Sequence, residues 1–341
     1  MKLEIVEVET DNTPTLCLNM IVKNEGKIIT RLLESVSQII DTYCICDTGS
    51  TDDTANIITK FFEEKGITGK IIEEPFQDFA YNRSHALKKC FGMSDYVILL
   101  DADMVLKIGD FDKKTLSQAD SFCLLQGSDD FYYQNMRIVK NNGLYSYKGV
   151  THEYIEVPPG NHNINVQKNG LFINDIGDGG SKADKFERDI RLLTKGIEDE
   201  PTNVRYHFYL ANSYKDSGKF DEAIEMYKKR IALGDWEQEV WYSYYNIANI
   251  YEARNDMGNA IVYWLKGYNH NPKRLENVHK LVQYYRVIGE CKTAKMFYDL
   301  ARKALDEGIE KDKYLFLAND VYTYKFDYEY SIISCYLGIK N

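Results

Sequence analysis

Tyr96-Val97-Ile98-Leu99-Leu100-Asp101-Ala102-Asp103 decides how the first half of this chain is read. Five consecutive apolar residues read as a strand buried on both faces, as in a parallel sheet. Asp101 and Asp103 then emerge at the carboxyl edge of that sheet, where open α/β folds bind ligands. Two carboxylates so close repel unless a cation lies between them. A hard divalent ion such as Mg2+ or Mn2+ meets that need and keeps coordination positions open for phosphate oxygens. The competing reading of the Asp-x-Asp is a polar strand end facing solvent.

Working outward, strands and helices alternate. Leu16 to Val22 reads as a first buried strand, and Gly26 to Ile40 as a helix carrying Ile28, Leu32, Leu33, Val36 and Ile39 on one face. Tyr43 to Cys46 is a second strand ending at Asp47. The next helix is expected to start near Ser50 or Thr51, good N-cap residues, and to stop at Lys65-Gly66. Gly69 to Glu73 is a third strand, and Asp78 caps a helix running to Cys90. This order predicts a parallel sheet with right-handed crossovers. Residues 107–182, rich in Asp, Gly, Asn and Tyr and marked by Pro158-Pro159-Gly160, are expected as short strands and loops flanking the site.

From about Lys185 the pattern changes to helix pairs. Ala223, Ala260 and Ala294 stand 37 and 34 residues apart. Around them recur Leu210-Ala211, Tyr214, Gly218 and Tyr227; Ile247-Ala248, Tyr251 and Trp264; Leu281-Val282, Tyr285, Gly289 and Tyr298. The period and the small/aromatic alternation resemble the tetratricopeptide repeat, against a generic set of helical hairpins. Tyr314 to Leu337 reads as a C-terminal helical cap. The expected domains are therefore residues 1–182 and 183–341.

Met20-Ile21-Val22-Lys23-Asn24-Glu25, Asp47-Thr48-Gly49-Ser50-Thr51-Asp52, Asn82-Arg83-Ser84 and Asp101-Ala102-Asp103, in this order, resemble the family-2 glycosyltransferases of the GT-A fold. The likeness continues through Met136-Arg137-Ile138, Gly149-Val150-Thr151-His152-Glu153 and Phe186-Glu187-Arg188 into the repeats. It implies an α/β GT-A domain, Rossmann-like with a mostly parallel sheet, followed by an all-α tetratricopeptide domain. The implied activity is inverting, metal-dependent transfer of a hexose or N-acetylhexosamine from a nucleotide-sugar, a UDP-sugar by the likeness at Asp47, to an acceptor hydroxyl on a glycan, protein or lipid-linked carrier. By position, Val22 and Glu25 flank the base and ribose. Asp47 matches the acid that bonds uracil; its side chain could instead cap the following helix, but the family position favours base recognition. Arg83 sits near the base and diphosphate, and Asp101, with Ala102, contacts the donor. Asp103 holds Mn2+ or Mg2+ directly, with Asp101 through water. Glu153 is the candidate base for the acceptor hydroxyl, with His152 orienting it or lining the acceptor site. Related chains carry His where this one has Asp175, a competent hard ligand; Asp178 is the alternative alignment. The Gly177-Asp178-Gly179-Gly180-Ser181 stretch is expected to close over the diphosphate or to be only a loop.

Bulk properties narrow the field. The chain has 341 residues, 44% hydrophobic and 28% charged, with a formal net charge of −10. Such acidity disfavours generic binding to nucleic acid or anionic membranes. The seven cysteines show no zinc spacing and read as buried thiols of a reducing, cytoplasmic compartment. No stretch has the length of a membrane span, and Met1 to Glu7 is too acidic for a signal peptide. The turn Lys23-Asn24-Glu25-Gly26 lacks the glycines of a dinucleotide-binding loop, which excludes a dehydrogenase. The alternative function is a repeat scaffold whose nucleotide-sugar-binding domain is catalytically weak. The repeats are expected to serve a protein partner, a glycan or a homodimer, and the aromatics Trp236, Trp241, Tyr242, Tyr244 and Tyr245 are read mainly as packing between helices.

Overall fold

The computed structural model describes residues 13–129, 131–179, 185–310 and 313–339. The N-terminal signal-peptide reading, and Gly180 and Ser181 of the glycine-rich stretch, lie outside these residues. The chain divides into two compact units, Met1–Lys185 and Phe186–Asn341.

In the first unit, β1 (Leu16–Val22), α1 (Ile29–Val36), β2 (Thr42–Asp47), α2 (Thr54–Lys65), β3 (Thr68–Glu73), α3 (Phe79–Lys89) and β4 (Tyr96–Leu99) alternate as the apolar pattern dictates. β1 pairs in parallel with both β2 and β4, and β2 with β3. Side chains alternate across the sheet. Leu16, Leu18 and Met20 pack with Ile45, Ile98 and the apolar faces of α1 and α2. Cys17, Cys44, Val97 and Leu99 point the other way, towards Leu87 and Cys90 beneath α3. Gly66 ends α2 in the left-handed region at φ +68°, and the Asp78 carboxylate accepts the Tyr81 N–H at the start of α3, both as expected. α2 begins three or four residues later than Ser50 or Thr51, because both of those residues are engaged by the loop after β1.

Residues 104–175 are more regular than expected. β5 (Met104–Ile108), β6 (Ser121–Gly127), β7 (Tyr132–Lys140), β10 (Asn163–Asn165) and β11 (Leu171–Asp175) extend the same sheet to nine strands. Its order is β3-β2-β1-β4-β7-β6-β11-β5, with β10 beside β6. β7 runs antiparallel to β4 and β6. β8 (Ser146–Lys148) and β9 (Tyr154–Glu156) form a separate hairpin.

In the second unit, α4 (Lys185–Asp199) precedes three helical hairpins: α5 (Val204–Asp216) with α6 (Phe220–Leu233), α7 (Glu237–Ala253) with α8 (Met257–His270), and α9 (Glu276–Val287) with α10 (Cys291–Glu307). Ala223, Ala260 and Ala294 are fully buried on α6, α8 and α10. The three hairpin turns are built alike. Lys219, Asp256 and Glu290 donate their N–H groups to the carbonyls of Tyr214, Tyr251 and Tyr285 at 2.8, 2.9 and 2.8 Å. Gly218, Asn255 and Gly289 take the left-handed position just before, at φ +78°, +60° and +84°. This is the helix-stop geometry in which Gly, and next Asn, is favoured. A helical turn at Val321–Lys325 leads into α11 (Phe326–Leu337), whose Phe326 and Ile333 pack against Val278, Ala294 and Tyr298. Trp241 is buried and stacks on Tyr245, and Tyr242 stacks on Phe316, so these aromatics pack between elements. Trp236 remains 40% exposed.

Candidate active site

The loops at the carboxyl edge of the first unit are tied together by the polar residues of the sequence motifs. Asn24 sits at φ +57°, which Asn tolerates better than most residues. In that conformation its N–H donates to Ser50 Oγ at 3.0 Å and its Oδ1 accepts the Thr51 N–H at 2.7 Å. The Glu25 N–H reaches Thr54 Oγ1 and the Gly26 N–H reaches Asp52. Val22 lies opposite Asp47 in the β1–β2 register, and its carbonyl accepts from the N–H and hydroxyl of Thr48. Asp47 is buried, and its Oδ1 accepts the N–H groups of Gly49 and Ser50 at 2.9 and 2.7 Å. It therefore shapes its own turn and does not cap α2, which starts at Thr54 with Asp53 at the N-cap position.

The centre of the site is an ion network built from distant parts of the chain. Asn82, fully buried, binds the main chain of Glu74, Pro75 and Gln77 and so fixes the start of α3. The next residue, Arg83, donates from Nε to Glu153 at 2.6 Å and from Nη2 to Asp101 Oδ1 at 2.5 Å. Its Cζ lies 5.8 Å from the Tyr147 ring. Arg137 on β7 reaches Asp101 Oδ2 at 3.4 Å and the Leu99 carbonyl at 3.2 Å. Both oxygens of Asp101 thus face guanidinium groups. Burial raises the proton affinity of Asp101, but Arg83 and Arg137 more than reverse this and hold its carboxyl below the usual range.

Asp103 is the opposite case. Burial first, then the charges of Asp101 and Asp175, push its pKa up. The Gly179 N–H approaches it at 3.3 Å. A Cβ on Gly179 would stand 3.1 Å from Asp103 Oδ2 and 3.4 Å from Glu25 Oε1, so the glycine lets the loop lie close to both acids. Asp175 lies opposite Met104 in the β11–β5 register and accepts from Gln126 Nε2 at 2.9 Å. Gln126 Oε1 in turn accepts from Arg137 Nε at 2.9 Å and Asn135 at 3.2 Å. Asp178 is held by Arg31 through two hydrogen bonds, at 2.7 and 3.0 Å, whereas the charge of Asp175 acts on Asp103. Ala102 packs its methyl into the core, which leaves only its main chain for a ligand.

Glu153 and His152 follow the β8 strand, which α3 positions: the Tyr147 N–H donates to Ser84 Oγ at 2.8 Å, and the Phe79 N–H to the Val150 carbonyl at 3.1 Å. His152 is exposed at φ +52°. The Glu153–Arg83–Asp101–Arg137–Gln126–Asp175 chain includes two residues given no role from sequence, Arg137 and Gln126. Their signal was available in the alternation of Tyr133, Asn135 and Arg137 on β7, but only strand pairing places that face over the site. Among the described residues, no three His, Cys, Asp or Glu side chains close around one point. A closed cage is therefore not built. Asp103 and Asp175 offer the hard carboxylate oxygens that an ion such as Mg2+ or Mn2+ takes.

Both units resemble known proteins. Residues 17–155 match the family model described as glycosyl transferase family 2, and residues 192–225 match a tetratricopeptide repeat model. The SPbeta prophage-derived glycosyltransferase SunS of Bacillus subtilis (strain 168) is 27% identical over 239 residues, covering 65% of this chain and 54% of that protein. An uncharacterised glycosyltransferase of Rickettsia typhi is 34% identical over 84 residues, covering 25% of this chain and 26% of its own. The chain thus spans about half the length, or less, of these curated relatives. Among solved structures, S. aureus TarS 1-349 in complex with UDP-GlcNAc superposes with a TM-score of 0.42 at 14% identity, covering 76% of this chain and 92% of that one. The chain carries a glycosyl transferase family 2 domain over residues 17–155, ahead of helices that include a tetratricopeptide repeat.

Proposed function

We propose that the first unit transfers a hexose or N-acetylhexosamine from a nucleotide-sugar, a UDP-sugar by the position of Asp47, to an acceptor hydroxyl with inversion. The observation that carries this reading is the contrast between the two acids after β4: Asp101 is ion-paired to two arginines, while Asp103 is pressed by the charges of Asp101 and Asp175 and has only the more distant charge of Arg31, itself paired to Asp178, on the other side of the balance. Asp103 and Asp175 would hold Mn2+ or Mg2+. Such an ion, when bound, supplies positive charge against the negative charge that develops on the leaving diphosphate.

The remaining roles belong to side chains. Arg83 and Arg137 keep Asp101 ionised and fixed, as an acceptor for donor hydroxyls. Gln126 fixes Asp175 from behind. Arg83 orients Glu153 through Oε1, and Glu153 takes the proton from the attacking hydroxyl through its other oxygen. His152, exposed on the same loop, lines the acceptor side. Val22, Glu25, Asp47 and the main chain of Ala102 frame the nucleoside.

The test is a panel of nucleotide-sugars incubated with the protein and Mg2+ or Mn2+, read as nucleoside diphosphate release. Metal-dependent release from a UDP-sugar is expected. Calorimetry on Asp103→Ala should show metal-dependent donor affinity abolished with the fold intact. Absence of release from every donor, together with unchanged metal-dependent affinity in the variant, overturns the proposal in favour of a binding scaffold.

A further inference from the structure

Residues 313–318, Lys-Tyr-Leu-Phe-Leu-Ala, cross the beginnings of α7 and α9, the leading helices of the second and third hairpins, and residues 313–316 are gripped largely through their main chain. Gln238 uses both atoms of its amide: Nε2 donates to the Lys313 carbonyl at 2.8 Å and Oε1 accepts the Leu315 N–H at 2.6 Å. Arg274 donates to the carbonyls of Leu315 and Phe316 at 2.9 and 3.2 Å. Glu276, ion-paired to Arg274 at 2.8 Å, accepts the Ala318 N–H at 3.4 Å. The Arg274 guanidinium lies 3.8 Å from the Trp241 ring and 5.0 Å from that of Tyr314. Of its side chains, Phe316 stacks on Tyr242 at 4.3 Å and lies 5.8 Å from Phe208 of α5, while Leu317 and Ala318 pack against the core around Leu275 and Val278 and anchor the segment's C-terminal end.

Paired main-chain hydrogen bonds plus one aromatic contact are how a protein surface grips an extended polypeptide with little regard to its sequence. The segment filling this place is an imperfect occupant. Leu315 and Phe316 remain 53% and 42% exposed. Phe316 sits at φ +59°, a conformation disfavoured for a bulky residue. The buried indole N–H of Trp241, next to Arg274, has no hydrogen-bond partner among the described residues. An imperfect segment still fills a site when it is tethered, because its local concentration is of millimolar order.

We propose that this face of α7 and α9 is a docking surface for an extended polypeptide segment carrying an aromatic residue, and that residues 313–318 occupy it in cis until such a segment displaces them. An incoming peptide then binds with its intrinsic affinity reduced by the fraction of molecules in which the cis segment is released. Gln238 and Arg274 read its main chain, and Tyr242 takes its aromatic side chain.

The probe is a fluorescein-labelled synthetic peptide of residues 313–318, titrated into the full chain and followed by anisotropy without any nucleotide-sugar, so the outcome is independent of the transfer activity. Phe316→Ala in the protein weakens the cis segment and should tighten peptide binding about tenfold or more. Adding Gln238→Ala should abolish that binding, and a peptide with Ala in place of its Phe should bind at least about tenfold more weakly. In the unsubstituted chain, saturating peptide should speed amide exchange at Leu315 and Ala318. The proposal is overturned if Phe316→Ala, with its helical circular dichroism intact, binds no better than the parent, or if exchange at Leu315 and Ala318 is unchanged. A dimer in sedimentation that Phe316→Ala dissociates would assign the surface to a second copy and equally overturn it.

Discussion

Replacing Arg83 by Met removes the guanidinium that binds both Glu153 and Asp101. Asp101 keeps Arg137 at 3.4 Å, but Glu153 loses its ion-pair partner. Breaking a buried pair by deleting one partner costs about 3–5 kcal/mol. The side chains of Arg83 and Glu153 are only 13% and 15% exposed, which keeps solvent screening small, and the retained Arg137 places the cost near the lower limit, about 3 kcal/mol. Glu153→Gln alone should cost about 1 kcal/mol, because Arg83 still has Asp101. The double variant strands no charge, so its cost should fall short of the sum by about 2 kcal/mol, a coupling expected of residues in one ion network. The assay must read the first unit. All three tryptophans lie in the second, so their fluorescence is unsuitable. Amide exchange in β1 and β4 during urea titration reports on the correct sheet. A cost for Arg83→Met below about 1 kcal/mol, or additive effects in the double variant, would refute the network as a stabilising element.

Three further outcomes follow from the geometry. Asp103→Asn removes a carboxylate whose pKa is raised, so the folded state should gain stability at pH 7 while Mn2+ loses its stabilising effect, both read by thermal unfolding. Asn24→Ala deletes the acceptor of the Thr51 N–H and places a Cβ-bearing residue less suited to φ +57°, so the loops should loosen by about 1–2 kcal/mol, measured as faster exchange at Thr51; Asn24→Gly, which relieves only the conformation, should recover part of that. Burial first, then Lys325 and Lys280, push the His279 pKa down to about 4 from its ordinary 6.5. The unfolded chain therefore takes up the proton first: stability is complete above about pH 6.5 and declines by about 3 kcal/mol as pH falls towards 4, and His279→Gln should flatten that decline in acid titrations of the second unit.

Much of this was legible in the sequence where physics is local. The apolar runs of β1, β2 and β4 cannot be satisfied except inside a sheet, the Gly66 stop and the Asp78 cap act within one turn, and the Ala/Tyr/Trp spacing reports directly on paired helices. Reading failed where a residue's partner is remote. Ser50 and Thr51 look like helix caps until Asn24 claims them. Tyr132-Tyr133-Gln134-Asn135 is too polar to announce a central strand, yet β7 is flanked by β4 and β6 and only there acquires a buried face. Arg83 and Glu153 are 70 residues apart, and nothing in either neighbourhood indicates that they meet. Which acids follow β4 was plain; that one is neutralised and the other left crowded depends on Arg137 and Asp175, which tertiary pairing delivers.

Cys17, Cys44 and Cys90 lie on the α3 side of the sheet, fully enclosed, with the thiols of Cys17 and Cys44 made more reluctant to ionise. Alkylating reagents attack the thiolate, and they must first reach it. The trio is consequently a built-in clock: its labelling rate counts how often the first unit breathes open enough to admit a reagent, while the tryptophans of the helical unit give a separate signal. One sample, quenched over time, can therefore rank the resistance of the two units to opening without any engineered probe.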